Sequence, residues 1–269
     1  MLRTALTLSL SLASWSALAQ TWNSNAGGWN TGYGTVYSSF GYASAVQNIF
    51  TTTQQNIARL TTRQAMINKW GLAAVEKAER EAASGRALPE AGPQVAAPRV
   101  VKNLGAFKPD KRVSAAKLIA EAITESPEER EGVVALVQAT KVGFEAQPET
   151  KPWRNNVAGA LAFFLIANAT IANGTPEPSD EVTQAVFAAV NASVDESPEL
   201  AKLPNKDKQQ LYELLLGFTG LAMALSGEAQ EHHDEALAEQ ARALSRQLLQ
   251  LVLKVDAAAV RFDRLLSQP

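Results

Sequence analysis

Residues 154–172, RNNVAGALAFFLIANATIA, are apolar almost all the way round when wound into a helix. Val157, Leu161, Phe163, Phe164, Leu165, Ile166 and Ile171 leave no face for water. Such a helix either sits at the centre of a folded body or lies in a membrane. A membrane span needs about 20 predominantly apolar residues. This run is shorter, and Asn168 interrupts it. The segment therefore predicts an all-α bundle of about six helices around this third, central one.

The flanking segments read as the remaining helices of that bundle. The first covers about 113–124, with Leu118, Ile119 and Ile123 inward. Ser126-Pro127-Glu128-Glu129 starts the second as a capping box with proline at the first helical position. It carries Val133, Val137 and Phe144 to about residue 145. Gly174 suits the left-handed position that ends the third. Ser179 caps the fourth, with Asp180 and Glu181 at its positive end. The fifth starts near Asn205, carries Leu211, Leu214, Leu215 and Phe218, and is ended or bent by Gly227. The sixth runs from about 228 to 266. Its seam, Leu237, Ala241, Leu244, Leu248, Leu251, Val255, Ala258, Phe262 and Leu265, follows a heptad pattern.

The N-terminal part has a different character. Arg3, the apolar stretch from Leu6 to Leu12, and Ala17-Leu18-Ala19 make residues 1–19 a signal peptide cleaved before Gln20. A membrane anchor is the alternative, but the stretch is short for one. Once Arg3 is removed, 24 basic residues face 27 acidic ones, a charge of −3. The expected location is periplasmic or secreted, with nothing spanning the membrane after cleavage. Residues 20–43 form a low-complexity leader of Gly, Asn, Ser and Thr with interspersed aromatics, among them Trp22 and Trp29. Residues 44–83 carry a helical apolar stripe through Val46, Ile49, Phe50, Ile57, Leu60, Ile67 and Trp70, with a weak point at Gly71. One or two helices of this kind need a partner surface. Residues 84–106 are a linker, since Pro89, Pro93, Pro98 and nearby glycines forbid a regular element and promise little packing. The bundle domain is placed at 107–269.

The chain has no cysteine, which excludes disulfides, thiolate metal sites, cysteine nucleophiles and lipid attachment just after the signal. Its near-neutral balance, −2 overall, argues against nucleic acid as the main partner.

The stretches FKPD at 107–110 with Arg112, RNNVAGALAFF at 154–164 and DKQQLYELL at 207–215 resemble a family of uncharacterised secreted bacterial proteins. Its members share a signal peptide, a variable Gly- and aromatic-rich leader and a C-terminal helical domain. The resemblance covers about three fifths of the chain. It implies the all-α bundle and its boundary, and it carries over no catalytic or binding residue.

Two clusters could carry chemistry. The only histidines are His232 and His233. On a continuous helix Glu228, His232 and Glu235 would share a face, a candidate carboxylate–imidazole metal site. Adjacent histidines diverge by about 100° on a helix, and a solvated acidic helix start explains the stretch as well. The second cluster is Trp153, Arg154, Asn155, Asn156, Gln209 and Tyr212, a candidate binding pocket at one end of the bundle. Polar amides beside apolar helices also serve to satisfy backbone ends. No nucleophile elbow, phosphate loop or dinucleotide fingerprint occurs. The sequence thus points to a non-enzymatic helical interaction or structural protein of the bacterial cell envelope, requiring no cofactor. Its expected partner is a protein or a second copy, met through 44–83. A carrier of a small apolar ligand is the alternative, and a metal-dependent enzyme centred on His232 is a third reading.

Overall fold

A computed structural model describes residues 55–262, apart from 57, 58, 61, 98, 99 and 261. The predicted signal peptide and aromatic leader lie outside the described residues. Within them the architecture is helical, without a strand. The elements are α1 (Leu72–Ala83), α2 (Ala116–Ile123), α3 (Pro127–Ala146), α4 (Val157–Asn173), α5 (Asp180–Asp195), α6 (Pro198–Lys202), α7 (Asn205–His232) and α8 (Glu235–Leu253). Short 3-10 turns occur at Lys151–Trp153 and Ala257–Ala259.

Helix α4 is the central helix that its composition demands. It packs against α5, α7 and α8. Eleven of its residues are buried, including Leu161, Phe164, Leu165 and Asn168. Its ends are closed by local chemistry. The Asn156 side chain accepts from the Ala158 N–H, and Gly174 takes φ 60° after the last turn. Helix α7 lies alongside and packs on α3, α4 and α8. Gly220 of α7 permits that closeness. A Cβ there would stand 2.1 Å from Thr140 Oγ1 of α3.

The caps on α3 and α5 form as expected, Ser126 accepting from Glu129 N–H and Ser179 from Val182 N–H. The predicted reciprocal half of the first box does not form. The Glu129 carboxylate receives the Thr124 hydroxyl instead, and that hydroxyl accepts from Ser126 N–H. Between α5 and α7 lies the short helix α6, capped by Ser197.

The last two helices differ from the expectation. Gly227 does not end α7, which continues to His232. The break falls at His233, in the left-handed region at φ 52°, and Asp234 caps α8 by accepting from Leu237 N–H. A glycine inside a helix costs only about 1 kcal/mol, which packing overrides. An acceptor at the N-cap supplies a positive reason to restart. The seam likewise runs through Leu237, Ala241, Leu244 and Leu248, and then Leu249, Val252 and Leu253 replace Leu251 as the buried positions. A straight helix of 3.6 residues per turn drifts off a heptad line. Helix α8 ends at Leu253, with Lys254 at φ 57°, rather than near 266.

The segment read as a packing-free linker also departs from its composition at its C-terminal end. Residues 102–115 lie across the bundle as a strap. Gly105 and Phe107 are buried, and an isolated antiparallel bridge joins Ala106 to Asn156. No helix among the described residues is long and apolar enough to cross a membrane.

Candidate functional site

The strap is held by four side chains from α5 and α7. At the end of α5 the Asp195 carboxylate accepts from the N–H groups of Lys102, Asn103 and Leu104, at 2.7, 3.2 and 2.7 Å. Asn103 takes φ 54°, which turns these donors toward one acceptor. The Lys208 ammonium donates to the Leu104 carbonyl at 2.6 Å, and burial lowers its pKa. The Gln209 side chain accepts from Asp110 N–H at 2.7 Å and donates to the Asp110 and Val113 carbonyls. Glu213, one turn further on, accepts from Ala115 N–H at 2.9 Å, from Lys141 Nζ at 2.7 Å and from Gln209 Nε2 at 3.1 Å. The first of these contacts gives the start of α2 a second acceptor beside the Ser114 hydroxyl, which accepts from Ala116 N–H at 3.3 Å, since Ala115 itself offers none.

Between strap, α2, α3 and α7 lies an open cleft of about 300 Å³. Glu213 and Lys141 line it, with Gln138, Gln209, Asp110 and Lys111. At the strap, Arg112 pairs with Asp110 at 2.7 Å and pulls its pKa down to about 2. Pro109, Val113, Ala116 and Val137 complete the lining, so charged and apolar groups are mixed there.

The predicted cluster of Trp153, Arg154, Asn155, Asn156, Gln209 and Tyr212 does assemble at this end of the bundle, but largely as internal scaffolding. Trp153 is buried, stacked on Phe187 at 4.7 Å and tilted against Phe144. Tyr212 is fully buried, edge-on to Phe107 and Phe144. Phe144 therefore touches both rings. The Tyr212 hydroxyl donates to Glu145 Oε1 at 3.0 Å. Burial, then the Glu145 charge, pushes its pKa up. Asn155 sits at φ 51° and offers its carbonyl to Phe107 N–H, while Asn156 caps α4. Gln209 belongs to the strap. Arg154 donates to the Gln147 carbonyl at 3.2 Å. The Trp153 indole N–H and Arg154 Nε are buried without a hydrogen-bond partner among the described residues.

Sequence reasoning missed Glu213, Asp195 and Lys208. An acid between Leu211 and Leu214 on an apolar helix was a legible signal. So was an acid at the C-terminal end of α5, where the helix dipole disfavours it.

The histidine stretch is a helix–helix turn. His232 Nε2 stands 3.1 Å from Glu228 Oε1, and its side chain is exposed. Because the chain turns at His233, Glu235 belongs to α8 and pairs with Arg242. The three groups do not share one helical face. Among the described residues, no three His, Cys, Asp or Glu side chains are grouped to hold a metal ion.

The described part of the 44–83 segment gives a second surface, while Val46, Ile49, Phe50 and Ile57 of its predicted stripe lie outside the described residues. Residues 62–70 are helical, Gly71 takes φ 84°, and α1 follows at once. Arg63 and Glu79 lie eight residues either side of Gly71 and meet through two hydrogen bonds of 2.6 and 3.1 Å. In one continuous helix these residues would stand about 24 Å apart. The segment is therefore a hairpin folded at Gly71. Nearer the N-terminus, buried Asn56 donates to Ala189 O and Ser193 Oγ, so this end rests on α5. The apex points away: residues 68–73 are all exposed.

Residues 4–265 match the family model DUF6683, a family of unknown function. No curated protein and no solved structure matches the chain.

Proposed function

The chain belongs to DUF6683, and we propose that it is a non-enzymatic interaction protein of the bacterial cell envelope. The N-terminal sequence supports export, with Arg3, an apolar run and Ala17-Leu18-Ala19. The bundle is the folded body, and the hairpin at Gly71 presents the contact surface. The observation that carries this reading is the contrast between the two surfaces. At the strapped end, the polar side chains chosen from sequence mostly hold the chain's own backbone. At the hairpin apex, Trp70 and Leu72 stay open to water although the chain has an apolar core to receive them. The apolar-ligand alternative gains little, because the cleft beside the strap carries Glu213 and Lys141.

A photo-crosslinking side chain at position 72, compared with one at position 142 on α3, tests this in the producing cell. Val142 is also an exposed apolar residue, 66% accessible. Discrete adducts at 72 and not at 142 are expected. Equal labelling at both positions, or none at 72, refutes the hairpin as the contact element. Intact mass of the exported chain should show cleavage between Ala19 and Gln20.

A further inference from the structure

The apex has a specific chemistry. Trp70 and Leu72 flank the turn, 36% and 50% exposed. The Lys69 ammonium lies 4.5 Å from the Trp70 ring centroid. No carboxylate occurs from 64 to 75. The nearest acids beyond are engaged, Glu79 by Arg63 and Glu76 facing Arg80 at 4.0 Å. Residues 59–83 hold five basic and three acidic side chains, a charge of +2, whereas the rest of the chain holds 20 and 24, a charge of −4. The hairpin is thus the basic projection of an acidic body.

An indole, a leucine and an ammonium on one exposed turn match the boundary between water and bilayer. Tryptophan settles at headgroup depth, an apolar neighbour enters the acyl margin, and lysine stays with the phosphates. The same apex of a second copy is a poorer match, because two positive turns would face each other.

We propose that the apex at Lys69, Trp70 and Leu72 seats on an anionic lipid bilayer. The proposal rests on the hairpin being the contact element, and it names the partner. So few anchoring groups give a reversible contact that weakens with salt.

The absence of cysteine makes the test clean. Leu72→Cys and Val142→Cys, made separately in the mature full-length chain, each carry one environment-sensitive fluorophore. Vesicles of phosphatidylglycerol with phosphatidylcholine should shift the emission at 72 to the blue and leave that at 142 unchanged. Phosphatidylcholine alone should shift neither, and high salt should reverse the effect. In co-sedimentation with the anionic vesicles, Trp70→Ala should lower the bound fraction at least about fivefold, since it removes the indole and about half of the exposed apolar area at the apex. A thermal melt run in parallel checks that the variant stays folded at the assay temperature, because Trp70 is only 36% exposed. No shift at 72, or unchanged sedimentation of Trp70→Ala, overturns the proposal. If the probe at 72 instead responds to protein concentration without vesicles, the lipid assignment falls while the hairpin remains a contact element. Silence in both experiments overturns the lipid assignment, and the cross-linking at position 72 then decides the hairpin reading by itself.

Discussion

Replacing Glu213 with alanine should cost about 3 kcal/mol of folding stability. Glu213 is 5% exposed and joins three elements. Its carboxylate takes Lys141 Nζ at 2.7 Å from α3, Ala115 N–H at 2.9 Å from the start of α2 and Gln209 Nε2 at 3.1 Å from its own helix. Losing one partner of a fully buried ion pair typically costs about 3–5 kcal/mol. The Lys141 side chain is 30% exposed, so it can find water and its orphaning costs less. The buried Ala115 N–H adds about 1–3 kcal/mol when left without an acceptor. Against a total stability of about 5–15 kcal/mol the sum is large. Urea unfolding of the mature chain measures it, and a double-mutant cycle with Lys141→Ala isolates the pair. Glu213→Gln keeps an acceptor for Ala115 and should lose about half as much. The coupling between Glu213 and Lys141 should exceed about 1 kcal/mol. A loss below about 1 kcal/mol, or additivity within about 0.3 kcal/mol, would refute the reasoning.

Phe164→Ala should lower stability by about 3–5 kcal/mol, because the ring is fully buried on the central helix. A thermal melt with an unchanged midpoint would mean that α4 is turned the other way. Tyr212 gives the fold an alkaline limit: its pKa in the folded chain is raised above the ordinary 10.0. The stability linked to it is complete below that pH and falls as pH rises above it, when the unfolded phenol ionises first. Urea titrations on either side of that pH should show a shallower alkaline loss in Tyr212→Phe, and parallel curves would count against it. A fragment of residues 100–269 should be more stable than one of 107–269 by about 2 kcal/mol, through the Asp195 and Lys208 contacts to 102–104. Equal denaturation midpoints would reduce those contacts to surface decoration.

Much of the fold was legible because it rests on short-range rules. The all-round apolarity of 157–171 forces α4 inside whatever surrounds it. Ser126, Asn156, Ser179 and Gly174 act on backbone groups within a turn or so of themselves, so local pattern places those helix ends well. The polar cluster was legible as a place but not as a role. Trp153 and Tyr212 do converge with Asn155 and Asn156, yet through Phe144 and Phe107 rather than around a ligand.

By itself, the sequence determined the helical class, the central helix, several of the helix caps and the weak point at Gly71. Each of these follows from side chains acting on neighbouring backbone or from the period of apolar residues. Tertiary structure alone decided the direction of the hairpin, which appears only when Arg63 meets Glu79. It also decided the strap, whose donors at 102–104 find their acceptor at Asp195, more than ninety residues away. It decided the break at His233 over Gly227, and the burial of Glu213. A composition rich in proline and glycine rules out a regular element and leaves packing open. What holds such a segment is a carboxylate or amide from a distant helix, and only the folded chain brings the two together.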